Sequence, residues 1–259
     1  MVKTLIKIEL RKLLLSRSAQ VIFLLFLLLS ILSILFVTTL MGEIPIDENA
    51  TVDPRQFLSF PMVWDMISYQ ISYAALLLPA LIAILTCAEL NSGIIRQHLI
   101  EGLSRKELVA GKLITIVLLS VLATLLFVIA GFLVGMAFTD STALSDITEG
   151  STAIFRFLLY ITGVSVLAYT FAVFIGSTGT TLISLLGYLI IIEPTIVLVI
   201  DHPVVDFLPN ASFRQLLNFP ILELIRGSDA DYTRAALATT GWLIVLSLLS
   251  YYRVSHKDY

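Results

Sequence analysis

Six long apolar stretches constrain the fold of this chain more than any other feature of its sequence. They lie at about residues 20–41, 66–88, 109–138, 154–176, 180–200 and 235–252. An apolar run of about 18 or more residues can cross the ~30 Å hydrocarbon core of a bilayer as a helix. A helix also satisfies its own backbone hydrogen bonds, which lipid cannot do for it. The sequence therefore predicts an all-α integral membrane protein with six transmembrane helices.

The composition leaves little material for a separate soluble domain. Hydrophobic residues make up 58% of the chain and charged residues 14%, with a mean hydropathy of +0.98. Soluble domains are about 45–50% apolar and about 25% charged. The longest connecting segments, at about 42–65, 139–153 and 201–234, are too short to bury a core of their own. We expect one transmembrane domain over residues 1–259, a lipid bilayer around it and no nucleic-acid partner.

The distribution of Lys and Arg predicts the orientation in the membrane. Eleven of them lie before the first span, between spans two and three, or after span six. The other five, on the opposite side, are Arg55, Arg156, Arg214, Arg226 and Arg234. Basic residues concentrate in the cytoplasmic loops of membrane proteins. We therefore expect a multi-pass protein of the inner or plasma membrane with both termini in the cytoplasm.

The segment before the first span has the pattern of an interfacial helix. Between Val2 and Leu15 the apolar residues share one side at helical spacing, and the basic residues lie around the other. Glu9 interrupts the apolar side. The helix either serves only as a membrane anchor, or Glu9 pairs with a basic residue of the next loop on the same side. We assign Glu9, Glu89 and Arg105 to that second possibility, a coupling of the helix to the loop.

The loop between spans two and three carries the clearest functional pattern. Gly93 permits a bend and Gly102 can end a helix, so a short helix of about two turns is expected between them. Ser104 and Glu107 have the spacing of a capping box at the start of span three. So short a helix is marginal alone and needs a surface to lie on, either the membrane or a groove in a partner protein. The candidate docking residues are Ile94, Ile95, Arg96, His98, Leu99 and Glu101.

At this loop the sequence resembles the permease subunits of ATP-binding-cassette exporters, the type-2 permease superfamily. The layout of six spans with a short basic tail is similar over the whole chain, and the residue-level motif covers about 25 residues. The matching residues are Glu89, Gly93, Arg96, Gly102, Leu103, Ser104, Arg105, Gly111 and Lys112. The resemblance implies that residues 94–101 are a coupling helix, that residues 2–15 are an elbow helix, and that two permeases line a pathway.

The same resemblance implies that the energy comes from another chain. The sequence Gly-x-x-x-x-Gly-Lys-Ser/Thr does not occur here, so the phosphates of ATP cannot be held by that loop. We expect no enzymatic activity and no cofactor in this chain. ATP and Mg²⁺ would belong to a partner ATPase present in two copies, beside a second permease that is a copy or a sibling. The expected cargo is hydrophobic or amphipathic.

Glu193 and Pro194 are the candidate pathway or gate residues. Both lie within span five. A lone carboxylate at that depth costs about 2.5–3.5 kcal/mol and should face a cavity, a seam or a partner. Proline removes a backbone hydrogen bond, which predicts a kink. The alternative is a packing role, in which Glu193 is hydrogen-bonded to a neighbouring span.

Two other classes of function remain open at the level of sequence. A membrane scaffold or sensor would dock a cytoplasmic partner through the same short helix without transporting anything. An intramembrane enzyme would use Glu193 or His202, although neither His-Glu-x-x-His nor Gly-x-Ser-x-Gly occurs. Asp201 and His202 together make a weak metal pair, and we expect a cap before Pro203 there instead.

Overall fold

The computed structural model describes residues 13, 15–43, 53–100, 102–139, 147–200, 202–220 and 231–256. Across these ranges the chain is helical and contains no strand. Short 3₁₀ helices cover Pro54–Leu58 and Pro203–Phe207, and a π-helical turn covers Tyr188–Ile192. The α-helices are α1 Arg17–Glu43, α2 Val63–Ala75, α3 Leu77–Asn91, α4 Ile94–Ile100, α5 Arg105–Phe138, α6 Thr152–Ile175, α7 Thr178–Gly187, α8 Glu193–Val199, α9 Pro209–Arg214 and α10 Tyr232–His256.

Within the described ranges, six helical stretches are long and apolar enough to cross a bilayer. They are Arg17–Gly42, Val63–Asn91, Arg105–Phe138, Thr152–Ile175, Thr178–Val199 and Tyr232–His256. The six spans expected from the sequence coincide with them to within a few residues. The all-helical prediction is confirmed, and the six apolar helices indicate a multi-pass membrane protein.

Two of the six spans are interrupted, and a proline explains each interruption. Span two breaks at Leu76 between α2 and α3, where Pro79 has no N–H for the carbonyl of Ala75 four residues earlier. Span five passes through the π turn just before Pro194, between α7 and α8. The kink predicted at Pro194 therefore takes the form of a π turn, which is a common way for a helix to absorb a missing bond.

Helix α6 lies at the centre of the bundle. It contacts α2, α3, α5, α7, α9 and α10. Two thirds of its most apolar window is buried, against 17% for the windows of spans one and five. The outer spans consequently present apolar surface away from the bundle, as helices facing lipid or another subunit must.

Contacts between chain-distant residues define two ends of the bundle. At the basic end, which holds residues 92–100, 102–104, 176–177 and 256, Lys112 Nζ lies 2.6 Å from Glu89 Oε1. At the acidic end, which holds residues 53–62, 147–151 and 202–208, Phe60 N donates to Thr139 Oγ1 at 3.0 Å. Trp64 Nε1 donates there to the carbonyl of Ile147, also at 3.0 Å. The cytoplasmic location of the basic end stays a prediction.

Candidate functional site

The short helix expected between spans two and three is present as α4. Gly93 and Gly102 adopt φ of 73° and 95°, in the left-handed region where a side chain would be strained. These two residues separate α4 from α3 and from α5. Its main contact with the rest of the bundle is α3, so the helix lies at the edge of the basic end.

The candidate docking residues of α4 differ in exposure. Ile94, Ile95 and Leu99 are half-buried, and Arg96 is exposed. Ile100, which the sequence analysis did not single out, is 79% exposed. The side chain of His98 and the whole of Glu101 lie outside the described residues. Ile100 and Leu99 together form a small apolar surface on α4, next to the positive charge of Arg96.

The segments that flank α4 are held to the bundle by charged contacts. Glu89 at the end of span two forms the ion pair with Lys112 in span three, and both side chains are largely buried. Ser104 and Glu107 form the predicted capping box at the start of α5. Arg105 donates to the carbonyls of Val254, at 2.8 Å, and Ser255 at the end of α10. These contacts join the ends of spans two, three and six next to α4.

The predicted coupling to the N-terminal helix is not part of what the structure describes. Glu9 and most of the expected interfacial helix lie outside the described residues. The other two residues assigned to that coupling contact span three, through Lys112, and α10, through Val254 and Ser255. Neither of these partners was anticipated, because residues so far apart in the chain share no sequence pattern.

Glu193 in span five is 1% exposed and holds the start of α9. Its Oε2 accepts from Asn210 N at 3.1 Å, and its Oε1 accepts from Ala211 N. Tyr188 contributes a side-chain hydrogen bond to the same carboxylate. The donors are thus the backbone of a short helix and a phenol of the same span. Among the described residues, no side chain of another transmembrane span donates to this carboxylate.

A second hydrogen bond joins α9 to the π turn. Glu193 N donates to the carbonyl of Tyr188, five residues earlier, and Pro194 has no N–H to donate. The carbonyl of Leu189 is thereby left without a helical partner, and Asn210 Nδ2 donates to it at 3.1 Å. The irregular turn, Glu193 and Asn210 thus form one connected unit. Unpaired backbone groups are costly in a membrane, and this contact removes one.

Helix α9 lies within the bundle and not on its outer surface. Phe213 packs on Gly163, whose missing side chain leaves room for the ring: a Cβ there would lie 2.9 Å from Phe213 Cδ1. Gly163 is eleven residues into α6, about 16 Å along its axis. Residues 202–220 therefore enter the bundle from the acidic end.

A buried ion pair braces the inserted segment. Arg156 of α6 lies 2.5 Å from Asp65 of α2, and Arg156 is only 6% exposed. The same guanidinium donates to the carbonyl of Leu216 at 3.3 Å and lies 3.9 Å from the ring centroid of Tyr232. In the sequence, Arg156 counted only as one of the five basic residues on the side opposite the termini. Opposite charges near the ends of two different spans were the only signal that could have suggested the pair.

Two cavities border the inserted segment. Glu193, Pro194, Asn210 and Arg214 contribute to one of about 500 Å³. Pro194, Asn210 and Arg214 also line a second, of about 350 Å³, together with tyrosines of α2 and α6. The two predicted pathway residues therefore lie beside open space within the bundle.

His202, which the sequence offered for enzyme or metal chemistry, has a structural role. His202 Nδ1 accepts from Val204 N at 3.2 Å and caps the 3₁₀ helix, as expected for a residue before Pro203. No group of three or more His, Cys, Asp or Glu side chains placed to hold a metal occurs in the described ranges. Cys87 is buried.

Comparison with protein-family models identifies the family of this chain. Residues 56–259 match the model of the family described as Protein of unknown function (DUF2705), which covers spans two to six. The chain belongs to that family. Comparison with curated proteins finds no match.

Proposed function

We propose that this chain is the membrane permease subunit of an ATP-driven exporter of hydrophobic or amphipathic molecules. A separate ATPase subunit would dock on α4 and supply ATP and Mg²⁺ chemistry from its own chain. Two ATPase copies and two permeases, either identical or siblings, would make up the complex.

The observation that carries this proposal is the form of the connection between spans two and three. A seven-residue helix lies between two left-handed glycines and exposes Ile100 and Arg96. A helix of that length gains little stability by itself. An apolar side chain with an adjacent cation is the composition of a small docking surface, where apolar and Arg side chains contribute most of the binding energy.

The flanking contacts support a mechanical role for the same helix. The Glu89–Lys112 ion pair joins the two spans that α4 connects, and Arg105 joins the loop to α10. A push on α4 would tilt spans two and three together instead of deforming a free loop. Movement of packed spans as rigid bodies is the usual way that closure of one subunit is converted into opening of another.

The broken helices and the cavities beside them support a substrate pathway next to spans two and five. These are the two spans that proline interrupts, and the cavities of about 350 Å³ and 500 Å³ lie beside Pro194. Broken helices line binding sites at membrane depth in many transporters. Glu193 and Pro194 would act as pathway or gate residues by holding α9 in place. A second permease would close the side that span five leaves exposed.

The test is recovery of the ATPase with the permease. The tagged chain is purified from its native membranes in mild detergent, and ATP-binding-cassette ATPases are quantified by mass spectrometry. We expect an ATPase in near-equal amount to the permease. Ile100→Asp and Arg96→Glu should each weaken its binding about thirtyfold, because a docking residue contributes about 2 kcal/mol or more.

Lys106→Glu is the matched control for these variants. Lys106 is exposed in the first turn of α5, and the change alters the charge of the same loop by the same amount as Arg96→Glu. This control should retain the ATPase. Purification of the wild-type chain without any ATPase, or equal recovery with Ile100→Asp, would contradict docking on α4 and would favour a helix that lies on the membrane.

A further inference from the structure

The cavity of about 350 Å³ beside Pro194 has an unusual polar lining for its depth. Tyr69 and Tyr73 of α2, Tyr160 of α6 and Arg214 of α9 contribute to it. Tyr73 is ten residues into α2 and Tyr160 eight residues into α6, about 15 Å and about 12 Å along their axes. Arg214 lines the same cavity as both phenols and directly follows Phe213, which packs on Gly163 about 16 Å along α6. A cation at this level of a membrane protein marks a water-filled or ligand-filled space.

Arg214 differs from Arg156 and Arg234, the two other arginines that contact the inserted segment, in having no ion pair within the described ranges. Arg156 pairs with Asp65, and Arg234 pairs with Asp206 at 3.3 Å. The side chain of Arg214 forms no ion pair or hydrogen bond with any residue in the described ranges. Glu193 borders the neighbouring cavity, but both of its carboxylate oxygens already accept backbone N–H groups. Within the described ranges, therefore, no acceptor occupies the donors of this guanidinium.

The neighbouring phenols add donors of the same kind. Tyr73 donates to the hydroxyl oxygen of Tyr69 at 2.7 Å, which leaves the hydrogen of Tyr69 free to donate to something else. Tyr73 is 57% exposed. A guanidinium and a phenol that both present donors to one space suit an oxyanion, because hydrogen bonds to a charged acceptor are the strong ones.

The remaining surface of the cavity is apolar and opens at the side of the bundle. Leu76, Ile190 and Leu217 line it, and Ile190 is 62% exposed at the bundle surface. A ligand that satisfies both parts of this lining carries an anion at one end and hydrocarbon at the other. A fully hydrated small anion would leave the apolar part of the lining unused.

We propose that Arg214 and Tyr69, whose hydroxyl is oriented by the hydrogen bond from Tyr73, bind the anionic headgroup of an amphipathic molecule whose hydrocarbon tail lies against Ile190. The headgroup carries a phosphate, sulfate or carboxylate, and the molecule is either a lipid of the bilayer or an amphipath that enters from it. Binding itself does not depend on the proposed function. The further statement that the amphipath is cargo rests on that function.

The test compares two probes with the same tail. Dodecyl phosphate and dodecylphosphocholine are added at equal mole fraction to the purified chain in dodecyl maltoside, and binding is measured by native mass spectrometry. The wild-type chain should prefer dodecyl phosphate about tenfold, the effect of one hydrogen bond to a charged group. Inorganic phosphate should bind more weakly than dodecyl phosphate. Equal affinity for the two dodecyl probes, or equal affinity for inorganic phosphate and dodecyl phosphate, would overturn the proposal.

Variants connect the preference to the named residues. Arg214→Gln should abolish it, Arg214→Lys should retain part of it, and Tyr69→Phe, which removes the free phenol donor, should reduce it about threefold. Arg17→Gln, an exposed arginine at the basic end, is the control for loss of one positive charge and should leave the preference intact. If Arg214→Gln does not fold, Tyr69→Phe decides. An unchanged preference in either folded variant would overturn the assignment.

A second arm distinguishes the two sources of the ligand. The chain is reconstituted in phosphatidylcholine nanodiscs with and without phosphatidylglycerol, and dodecyl phosphate binding is measured again. Weaker binding in the presence of phosphatidylglycerol would assign the site to a membrane lipid, and unchanged binding would assign it to an added amphipath. No ATPase is present in either arm, so failure of the docking experiment and failure of this site are separate results.

Discussion

Glu193 acts as a helix cap that is supplied by a different helix. Leu208, at the N-cap position of α9, has no side-chain acceptor, and Pro209 has no N–H to satisfy. The next two N–H groups, of Asn210 and Ala211, both donate to the carboxylate of Glu193. Capping of this kind satisfies donors that a helix leaves open. It also explains how a carboxylate is accommodated at membrane depth, because each of its oxygens receives a hydrogen bond.

Replacing Glu193 with Gln should destabilise the protein. The amide offers one acceptor and one NH₂ group, so one backbone N–H of α9 would face another donor. We expect a loss of about 1–3 kcal/mol, visible as a lower midpoint of thermal unfolding in detergent. Glu149→Gln, the same change at an exposed position of the acidic end, should have no effect. If Glu193→Gln were as stable as wild type but altered ATPase stimulation, the carboxylate would serve the pathway and not the packing.

Neutralising one partner of the Asp65–Arg156 ion pair should lower the stability more than replacing both partners with apolar residues. Asp65→Asn leaves the buried guanidinium without a counter-charge, and we expect a loss of about 3–5 kcal/mol. The double variant Asp65→Leu with Arg156→Met removes both charges and should be more stable than Asp65→Asn alone. A double-mutant cycle on thermal unfolding measures the coupling. Additive effects of the two single changes would contradict a direct interaction.

At the scale of elements, the position of α9 depends on a glycine in another helix. Gly163 lets the ring of Phe213 reach the surface of α6. Gly163→Ala should push the ring away and cost about 1–3 kcal/mol, because an aromatic ring cannot yield as a flexible chain would. The midpoint of thermal unfolding checks this. Truncation of the ring in the same chain, as Gly163→Ala with Phe213→Leu, should recover part of the loss.

Gly187→Ala is the matched control for this element. Gly187 ends α7 with helical backbone angles, and a Cβ there would meet nothing within 4 Å. The change should leave stability unaltered or raise it by up to about 1 kcal/mol, since alanine favours a helix over glycine. A similar loss at both glycines would mean that the effect of Gly163→Ala is not caused by Phe213.

At the scale of the whole molecule, the predicted orientation can be tested with single cysteines. The natural Cys87 is fully buried, so it should not react in the intact protein. Ser92→Cys lies at the exposed basic end and Glu149→Cys at the exposed acidic end. In intact cells a membrane-impermeant maleimide should label Glu149→Cys and spare Ser92→Cys, with both labelled after the cells are opened. The reverse pattern would place α4 outside the cell and would remove it from any cytoplasmic ATPase.

The parts of the molecule that sequence reasoning anticipated are those that depend on neighbouring residues. The spans follow from runs of apolar residues, and the capping box of Ser104 and Glu107 follows from a spacing of three. The bends at Gly93 and Gly102 follow from the one residue that tolerates positive φ. The parts that were missed join residues far apart in the chain. Arg156 and Asp65, or Phe213 and Gly163, share no local pattern that would have brought them together.

The sequence by itself determined that the chain is helical, that it has six helices long and apolar enough to cross a membrane, and that a short helix lies between spans two and three. Apolar length, helix-ending glycines and capping spacings are local properties, and a bilayer leaves a helix few alternatives. Only the tertiary structure decided that α9 enters the bundle, that Glu193 caps it, and that Arg214 faces a tyrosine-lined cavity without a partner among the described residues. These features depend on which faces of distant helices meet, and that choice is made by packing over the whole bundle.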